Sequence, residues 1–319
     1  MKNETKIKSV SEYLNAVYQK IDFTNEDESS QILWFRGESS ILWETPLVPN
    51  IYRVLAHTFK TIKDDWFDSK NLRELEKNLN SDFSRQALPH IIQKGIENNG
   101  WNRYFLMQHY KIKTRLLDWT ENALLALFFS VEDQAHPNDD ARVWILKPFL
   151  LNHFTINKIL KSDNFFMIIP HGMEPDKPQK LLDKNGKIFI DELTRRYLRM
   201  DFNQKVMGSI SNIYHPLAIY PFYLDQRMAT QKTCFTIFGN KINGLLSADQ
   251  KDEFLDTILI DGKEKLKIMN ELALVGIDHN NIYPDLDGLG ISLNIKYKRI
   301  LNDNRESLFH VIRSIQKKK

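Results

Sequence analysis

Disulfides, membrane spans and a strong net charge are all lacking in this sequence of 319 residues. A single cysteine, Cys234, excludes a disulfide framework and a structural zinc site built from several thiolates. The longest apolar run, residues 123–129, is far shorter than the roughly 20 residues that cross a membrane. The start of the sequence lacks the apolar segment of a secretory signal, and a net charge of +3 is too small to indicate nucleic acid by itself. These absences favour a cytoplasmic protein that does not enter a membrane.

The motifs of several large enzyme classes are lacking as well. There is no glycine-rich dinucleotide fingerprint, no P-loop, no HExxH and no GxSxG. Nine histidines are present, but no HxH or HxxxH pair prepares a metal site. Residues 285–288 resemble the start of a calcium loop without its remaining ligands. No metal is therefore predicted, while a hydrophobic fraction of 42% indicates an ordinary folded core.

The periodicity of the apolar residues predicts an α+β fold, in which a mixed, mostly antiparallel sheet packs with helices. Ser9 and Glu12 form the pattern of a capping box before an opening helix. Residues 31–35 predict a strand that delivers Arg36 to its end. Residues 123–131 are apolar nearly all round, which predicts a central, buried helix. Both termini are expected to be helical.

Composition divides the chain into three predicted parts. Residues 1–30 are expected to be a helical lead-in, and residues 31–300 the main α+β domain. Within that domain, residues 148–200 look like an irregular insertion. Residues 301–319 are expected to form a C-terminal helix with a basic tail.

The first segment that can carry chemistry is Trp34-Phe35-Arg36-Gly37. An arginine at a strand end offers a fork of donors that fits phosphate or carboxylate. The glycine would let a ligand approach the backbone closely. From this segment alone a structural interpretation is favoured, in which the arginine pairs with a buried acid and the glycine makes a turn.

The second segment, residues 108–120, is expected to be a loop rich in hydrogen-bonding side chains between two apolar helices. Arg115 and Asp118 could form a partly buried ion pair, with either a structural or a catalytic role. His109 could be a base or a satisfied polar residue of the core. Thr120 is the expected N-cap of the following helix.

The third segment, residues 225–236, is a polar turn that leads into a predicted strand. Arg227 and Gln231 are four residues apart, so they share a face if the turn is helical. Cys234 alternates with polar and aromatic neighbours and is expected to be a small buried side chain rather than a nucleophile.

These segments, in this order, resemble the FRG domain family of bacteria and their phages. Phe35-Arg36-Gly37 matches the motif that gives the family its name. Residues 108–130 are similar to the family's run QHxGxPTRLLDWTxxxxxALFFA. The resemblance implies membership of that family over roughly residues 31–297.

Two further matches and three departures complete the resemblance. Residues 227–235 are similar to the family's R-x-x-x-Q-x-G-x-F run, and residues 282–289 look like its closing segment. Lys111 and Thr233 stand where the family usually has glycine, and Lys113 stands where it usually has proline. The departures concern the conformation of the loops rather than membership.

The order of the motifs also resembles the three-part site of ADP-ribosyltransferases, which implies that NAD is bound. By this analogy Arg36 and Gly37 would hold NAD, and Gln231 would lie beside the ribose whose leaving nicotinamide produces positive charge. Asp118 or His109 would orient the acceptor or act as the base. The remaining cofactor contacts implied are Thr114, Arg115, Trp119, Thr120 and Arg227. Transferases usually have glutamate where Gln231 stands.

Three functions therefore remain open. The first is an NAD-binding, ADP-ribosyltransferase-like enzyme or NADase that acts as a bacterial toxin or anti-phage effector. The second is a nucleic-acid-binding protein that uses its arginines beside aromatic side chains. The third is a non-catalytic module that senses a small nucleotide ligand or binds a partner. All three predict that Arg36, residues 114–120 and Gln231 converge on one cleft.

Overall fold

A computed structural model describes residues 6–21, 31–53, 69–133, 135–160, 168–172, 180–181, 188–199, 213–295 and 297. The helices are α1 Val10–Tyr18, α2 Ser69–Gln93, α3 Gly100–His109, α4 Ala123–Val131, α5 Pro148–Leu160, α6 Ile190–Arg199, α7 Gln226–Thr230, α8 Lys251–Phe254, α9 Lys265–Leu274 and α10 His279–Ile282. The strands are β1 Trp34–Glu38, β2 Leu116–Thr120, β3 Ala141–Leu146, β4 Lys180–Leu181, β5 Ile188–Phe189, β6 Leu217–Ile219, β7 Thr233–Ile237 and β8 Leu255–Ile260. Residues 286–295 are also helical.

Six of the strands form one sheet in the order β6-β7-β2-β1-β3-β8, with antiparallel neighbours throughout. β4 and β5 form a separate small hairpin. The predicted α+β class is confirmed, because helices cover both faces of an antiparallel sheet. No helix in the described ranges is both long enough and apolar enough to cross a membrane.

The sheet is nearly divided at its centre, between β1 and β2. Phe35 and Thr120 are the only residues that pair across this junction in the described strands. On either side the pairing is regular: β1 pairs with β3 from Trp34 to Glu38, and β2 pairs with β7 along its whole length. Because β1 and β2 separate beyond one pair, a gap opens between two three-stranded halves.

Two hydrophobic cores lie on opposite faces of the sheet, as expected from the alternation of side chains along a strand. Trp34 belongs to the core that includes α3 and α5. Phe35 belongs to the other core, with α1, α4 and α9. Helix α4 is buried over most of its length, which confirms the predicted central helix.

Gly37 allows α4 to lie directly against β1. A Cβ atom added to Gly37 would be 2.1 Å from the carbonyl oxygen of Ala126 and 2.7 Å from the amide nitrogen of Ser130. Real Cβ atoms do not approach backbone so closely, so any side chain here would push the helix off the sheet. The glycine serves helix packing, and the expected turn at this position is wrong because Gly37 lies within β1.

Three local predictions are corrected by the structure. Arg36 lies in the middle of β1 rather than at the end of a strand, and residues 116–120 form a strand rather than a loop. The N-cap of α4 is Asn122, whose Oδ1 accepts from the amides of Leu124 and Leu125, and Thr120 lies in β2. Four of the five β2 residues are buried, so the sequence has no simple alternation there.

The predicted helix at the N-terminus is confirmed by α1, where Ser9 accepts from the amide of Glu12. Helix α1 also joins the core, since the Tyr13 hydroxyl donates to the carbonyl of Ala123 at 2.9 Å. In residues 148–200, α5 and α6 bury Leu151 and Tyr197 in the core. Residues 301–319 lie outside the described part, so the predicted C-terminal helix and basic tail are not addressed.

Candidate functional site

A cleft of about 310 Å³ lies where β1 and β2 separate, a size typical of small-molecule sites. Eight of the predicted site residues line it: Arg36, Gly37, His109, Asp118, Trp119, Thr120, Arg227 and Gln231. The predicted site residues Thr114 and Arg115 do not line the cleft. Sequence reasoning missed further lining residues, among them Asn50, Gln108, Lys111 and Phe129.

Arg36 bridges the two halves of the sheet. Its Nη1 donates to the carbonyl oxygen of Asp118 at 2.9 Å, across the gap between β1 and β2. Its buried Nε lies 3.9 Å from Oε1 of Glu38 and has no hydrogen-bond partner among the residues described. The side chain is 19% exposed, so part of the guanidinium faces the cleft. This arrangement fixes the group while leaving donor capacity for an anion.

Glu38 is the buried acid that accompanies Arg36. Its carboxylate accepts from the Trp144 indole at 2.8 Å and from the Leu47 amide at 3.2 Å, and it lies 3.4 Å from Nε of Arg142. Glu38 therefore has three closer partners, and Arg36 is the most distant of the four groups around its carboxylate. Arg36 therefore lies near a buried acid, and its guanidinium is also partly open to the cleft.

Asp118 presents its carboxylate to the cleft and is oriented by Gln108. The amide Nε2 of Gln108 donates to Oδ2 of Asp118 at 2.8 Å. The hydroxyl of Thr114 in turn donates to Oε1 of Gln108, and Thr114 is fully buried. Thr114 thus acts on Asp118 through Gln108, which does not fit the predicted direct contact with a cofactor.

The predicted ion pair between Arg115 and Asp118 is wrong. Arg115 is fully buried and pairs with Glu76 of α2, at 2.9 Å between Nε and Oε2. Its Nη1 donates to the carbonyl of Phe238 and its Nη2 to that of Tyr197. Burial disfavours the charged form, yet the charge of Glu76 raises the pKa of Arg115 above its ordinary value. Arg115 therefore holds α2, α6 and the end of β7 together.

His109 forms a hydrogen-bonded pair with Asp225, at 2.6 Å between Nε2 and Oδ2. Asp225 also caps α7 by accepting from the amide of Met228 at 2.9 Å. Burial raises the pKa of Asp225, but the hydrogen bonds from His109 and Met228 outweigh it and leave that pKa below its ordinary value. The pair joins the end of α3 to the start of α7 at one wall of the cleft.

Arg227 and Gln231 lie at the two ends of the short helix α7, next to the closing segment of the domain. The guanidinium of Arg227 lies 4.7 Å from the ring centroid of Tyr283, within the range of a cation–π contact. Gln231 donates from Nε2 to the carbonyl of Ile282 at 3.4 Å, and its own carbonyl accepts from the Thr120 hydroxyl at 2.6 Å. The role of Tyr283 could not be read from local spacing, because it is distant in sequence.

Lys111 adopts the backbone conformation that favours glycine, with φ of 63°. This is a position at which the related sequences usually have glycine. Lys111 lies in the turn after α3 and lines the cleft. A residue with a side chain in this conformation is a local strain in the turn.

Trp119 and Cys234 contribute little accessible surface. Trp119 is 3% exposed, and its indole donates to the Thr236 hydroxyl at 3.1 Å. Cys234 is fully buried, and burial raises the pKa of its thiol well above the ordinary value. The expectation that Cys234 is a buried side chain is confirmed.

The arginines and aromatics that favoured nucleic acid are divided between the interior and the surface, where Arg195 and Arg199 are exposed. Arg115, Arg196, Tyr197 and Trp34 are buried, so they do not form a surface that could follow a phosphate backbone. Within the ranges described, no group of three or more histidine, cysteine or acidic side chains is arranged to hold a metal.

Comparison with known proteins gives one match. A family model for the FRG domain matches residues 31–139, which include β1, α2, α3, β2 and α4. That range contains Arg36 and Asp118 but not Arg227 or Gln231. No curated protein and no solved structure matches the chain.

Proposed function

We propose that this protein, which contains an FRG domain, is an NAD-binding enzyme of the ADP-ribosyltransferase type. One observation carries the proposal. Arg36 lies on β1, Asp118 on the neighbouring strand β2, and Gln231 at the C-cap of α7, just before the next strand β7, and all three line one cleft. They are separated by nearly 200 residues in the sequence, so their meeting is a property of the fold.

The charge of the cleft supports a ligand with phosphates. Arg36, Arg227 and Lys111 line it, and Asp118 is the one carboxylate among its described lining residues. A pyrophosphate would accept charge-assisted hydrogen bonds from the two guanidinium groups. The half-buried ring of Phe129 supplies apolar wall for a base or for nicotinamide.

The proposed reaction breaks the bond between ribose C1′ and the nicotinamide nitrogen. The electron pair leaves with nicotinamide, and positive charge develops on the ribose ring. Asp118, oriented by Gln108, would stabilise that charge, while the neutral amide of Gln231 would hydrogen-bond a ribose hydroxyl. An acceptor oxygen forms the new bond to C1′ and releases its proton to Asp118 or to solvent. With water as acceptor the products are ADP-ribose, nicotinamide and a proton.

The neutral Gln231 favours hydrolysis over transfer to a protein acceptor. A glutamate at this place could be a second group that deprotonates an acceptor side chain, whereas with an amide there the proton goes to Asp118 or to solvent, as the proton of water can. The proposed activity is therefore that of an NADase. Consumption of NAD in the cytoplasm would give the protein the role of a toxin or an anti-phage effector.

The test measures NAD binding by calorimetry and nicotinamide release by chromatography, on the wild type, Arg36→Ala and Arg85→Ala. Arg85 is a matched control because its side chain is 72% exposed on α2, outside the cleft. We expect Arg36→Ala to weaken NAD binding at least about tenfold, since a charge-assisted hydrogen bond contributes roughly 1.5–3 kcal/mol. Release should be lost in the same variant, and Arg85→Ala should match the wild type. Wild-type protein that binds no NAD, or unchanged binding in folded Arg36→Ala, would contradict the proposal.

A ligand-sensing module is the second candidate, and the neutral Gln231 is the observation that favours it. In that case NAD binds through Arg36 but no nicotinamide is released. The same two measurements distinguish the candidates, because binding and release are recorded separately.

A further inference from the structure

A second group of polar side chains lies directly behind Arg227, outside the cleft. It consists of Glu132 at the C-cap of α4 together with His279 and Tyr283 at the two ends of α10. The Tyr283 hydroxyl donates to Oε1 of Glu132 at 3.4 Å, and Nε2 of His279 lies 3.6 Å from Oε2. None of these three side chains lines the cleft, so the proposed reaction does not use them directly.

We propose that Tyr283 and Glu132 are positioning residues: the ring of Tyr283 holds the guanidinium of Arg227 at the cleft, and Glu132 holds Tyr283. Glu132 also gives Arg227 a charged neighbour that can be switched by pH. These residues would set the position of Arg227 and the dependence of its ligand binding on pH.

Arg227 is held by its contact with the ring of Tyr283. Within the described residues, Nε of Arg227 is buried without a hydrogen-bond partner. The Tyr283 ring lies 4.7 Å beneath the guanidinium, so an aromatic face takes the place of an acceptor. A cation held in this way keeps its terminal N–H groups available for a ligand.

Tyr283 is itself held in place by its backbone and by its hydroxyl. Its amide donates to the carbonyl of His279 at 2.9 Å, which closes α10. Its own carbonyl lies so close to Gly288 that a Cβ atom there would be 2.1 Å away. Its ring is fixed at the far end by the hydroxyl bond to Glu132. The same segment holds Gln231 through the carbonyl of Ile282, so it supports both ends of α7.

The charge of Glu132 acts on both Tyr283 and Arg227. The charged and titratable groups that face it are Tyr283 and His279 of α10, Arg227 of α7 and its neighbour Asp133. Burial raises the pKa of Glu132 to about 7, although the Tyr283 hydrogen bond and the charge of Arg227 oppose the shift. Glu132 is therefore neutral below that pH and ionised above it. Ionised Glu132 attracts Arg227 and competes with an anionic ligand, so anion affinity should fall as pH rises.

The first arm of the test needs no ligand. The Nε–Hε resonance of Arg227 is recorded by ¹H–¹⁵N NMR and assigned by its loss in Arg227→Lys. We expect Tyr283→Leu to shift it, because the ring current is removed, and Tyr283→Phe to keep it close to its wild-type position. Tyr297→Leu is the matched control, since Tyr297 is 58% exposed, and it should leave the resonance unchanged. An unshifted Arg227 resonance in folded Tyr283→Leu would overturn the proposal.

The resonance is then followed from pH 5.5 to 8.5 in the wild type and in Glu132→Gln. The wild type should show a transition near pH 7 that Glu132→Gln lacks. Identical curves would contradict the role of Glu132. This comparison also serves if Tyr283→Leu does not fold, because glutamine keeps the size and the acceptor of glutamate.

The second arm, which rests on the proposed function, measures binding of ADP-ribose, whose pyrophosphate keeps its charge over this pH range. Tyr283→Leu should weaken binding about fivefold, in the range of one cation–π contact, and Tyr283→Phe less than about twofold. Wild-type affinity should fall about two- to threefold between pH 5.5 and 8.5, and that of Glu132→Gln should stay constant. If ADP-ribose does not bind while the resonances behave as expected, the proposed function fails and the positioning of Arg227 stands. Equal affinity in Tyr283→Leu and the wild type would contradict the positioning.

Discussion

The resemblance implied a cofactor contact for both Arg115 and Arg36, but their surroundings differ in one decisive respect. Arg115 is fully buried, and each of its nitrogens donates to a protein acceptor: the carboxylate of Glu76 or the carbonyls of Phe238 and Tyr197. Arg36 donates from Nη1 to Asp118, while its Nε has no acceptor in the described residues. Each arginine lies in a sequence motif, Arg36 in the first segment and Arg115 in the second, and the hydrogen bonds separate a structural arginine from a candidate ligand-binding one.

Whether the N–H donors of an arginine all have protein acceptors is therefore a better guide to its function than its residue type. A buried arginine with all its donors satisfied has nothing left for a ligand and would be costly to disturb. An arginine that keeps open donors at a cleft gains partners when an anion binds. Removing the first should therefore affect stability, and removing the second should affect binding.

The largest expected effect is that of Arg115→Met. The change leaves the Glu76 carboxylate buried without its cationic partner, although the Tyr104 hydroxyl still donates to it, and such a loss typically costs about 3–5 kcal/mol. Urea denaturation should show this loss, while Arg36→Ala should change the free energy of unfolding by about 1 kcal/mol or less, as for a partly exposed pair. The double variant Glu76→Leu with Arg115→Met should recover part of the loss. Equal destabilisation by Arg36→Ala and Arg115→Met would remove the distinction between the two arginines.

Asp118→Asn should affect activity rather than stability. Loss of the charge next to the ribose should reduce nicotinamide release by about 10²–10³, the usual effect of removing one group that stabilises transition-state charge. Stability should hold, because Asp118 is exposed and Gln108 can still hydrogen-bond an amide oxygen. Release and the urea midpoint are measured on the same preparation. A variant that retains wild-type release would exclude Asp118 from the reaction.

Gly37→Ala extends the comparison from side chains to backbone. The added methyl would meet the backbone of α4 at 2.1 Å, and overpacking of this kind costs about 1–3 kcal/mol. Gly290→Ala is the control, since Gly290 lies in the helical residues 286–295 and, among the residues described, nothing beyond its own helix backbone lies within 4 Å of its added Cβ. There alanine should stabilise by up to about 1 kcal/mol. Thermal denaturation of both variants measures the difference, and a neutral Gly37→Ala would mean that α4 can shift at little cost.

The sequence predicted the fold class, the opening helix, the central helix and the meeting of the three segments at one cleft. Those features depend on local capping, apolar periodicity and motif order. It could not predict that Arg115 pairs with Glu76, because that partner lies 39 positions away on a helix with no motif. It also placed Arg36 at a strand end and residues 116–120 in a loop, because a strand covered on both faces has no alternating pattern. Gly37 was predicted to admit a ligand or make a turn, and only tertiary packing reveals the helix that lies against it.

The smallest expected effect is that of Lys111→Gly, at the mouth of the cleft. Lys111 has φ of 63°, a conformation that costs a residue with a side chain roughly 1–2 kcal/mol and costs glycine almost nothing. Glycine loses more backbone entropy on folding, which offsets about half of the relief. The net result should be stabilisation by about 0.5–1 kcal/mol, measured by urea denaturation. Lys113→Gly is the matched control, because Lys113 has no positive φ and the same change should destabilise there. Destabilisation by Lys111→Gly would show that the lysine side chain contributes more to stability than its backbone conformation costs. A loss of NAD affinity in the same variant would show that the side chain also contributes to ligand binding.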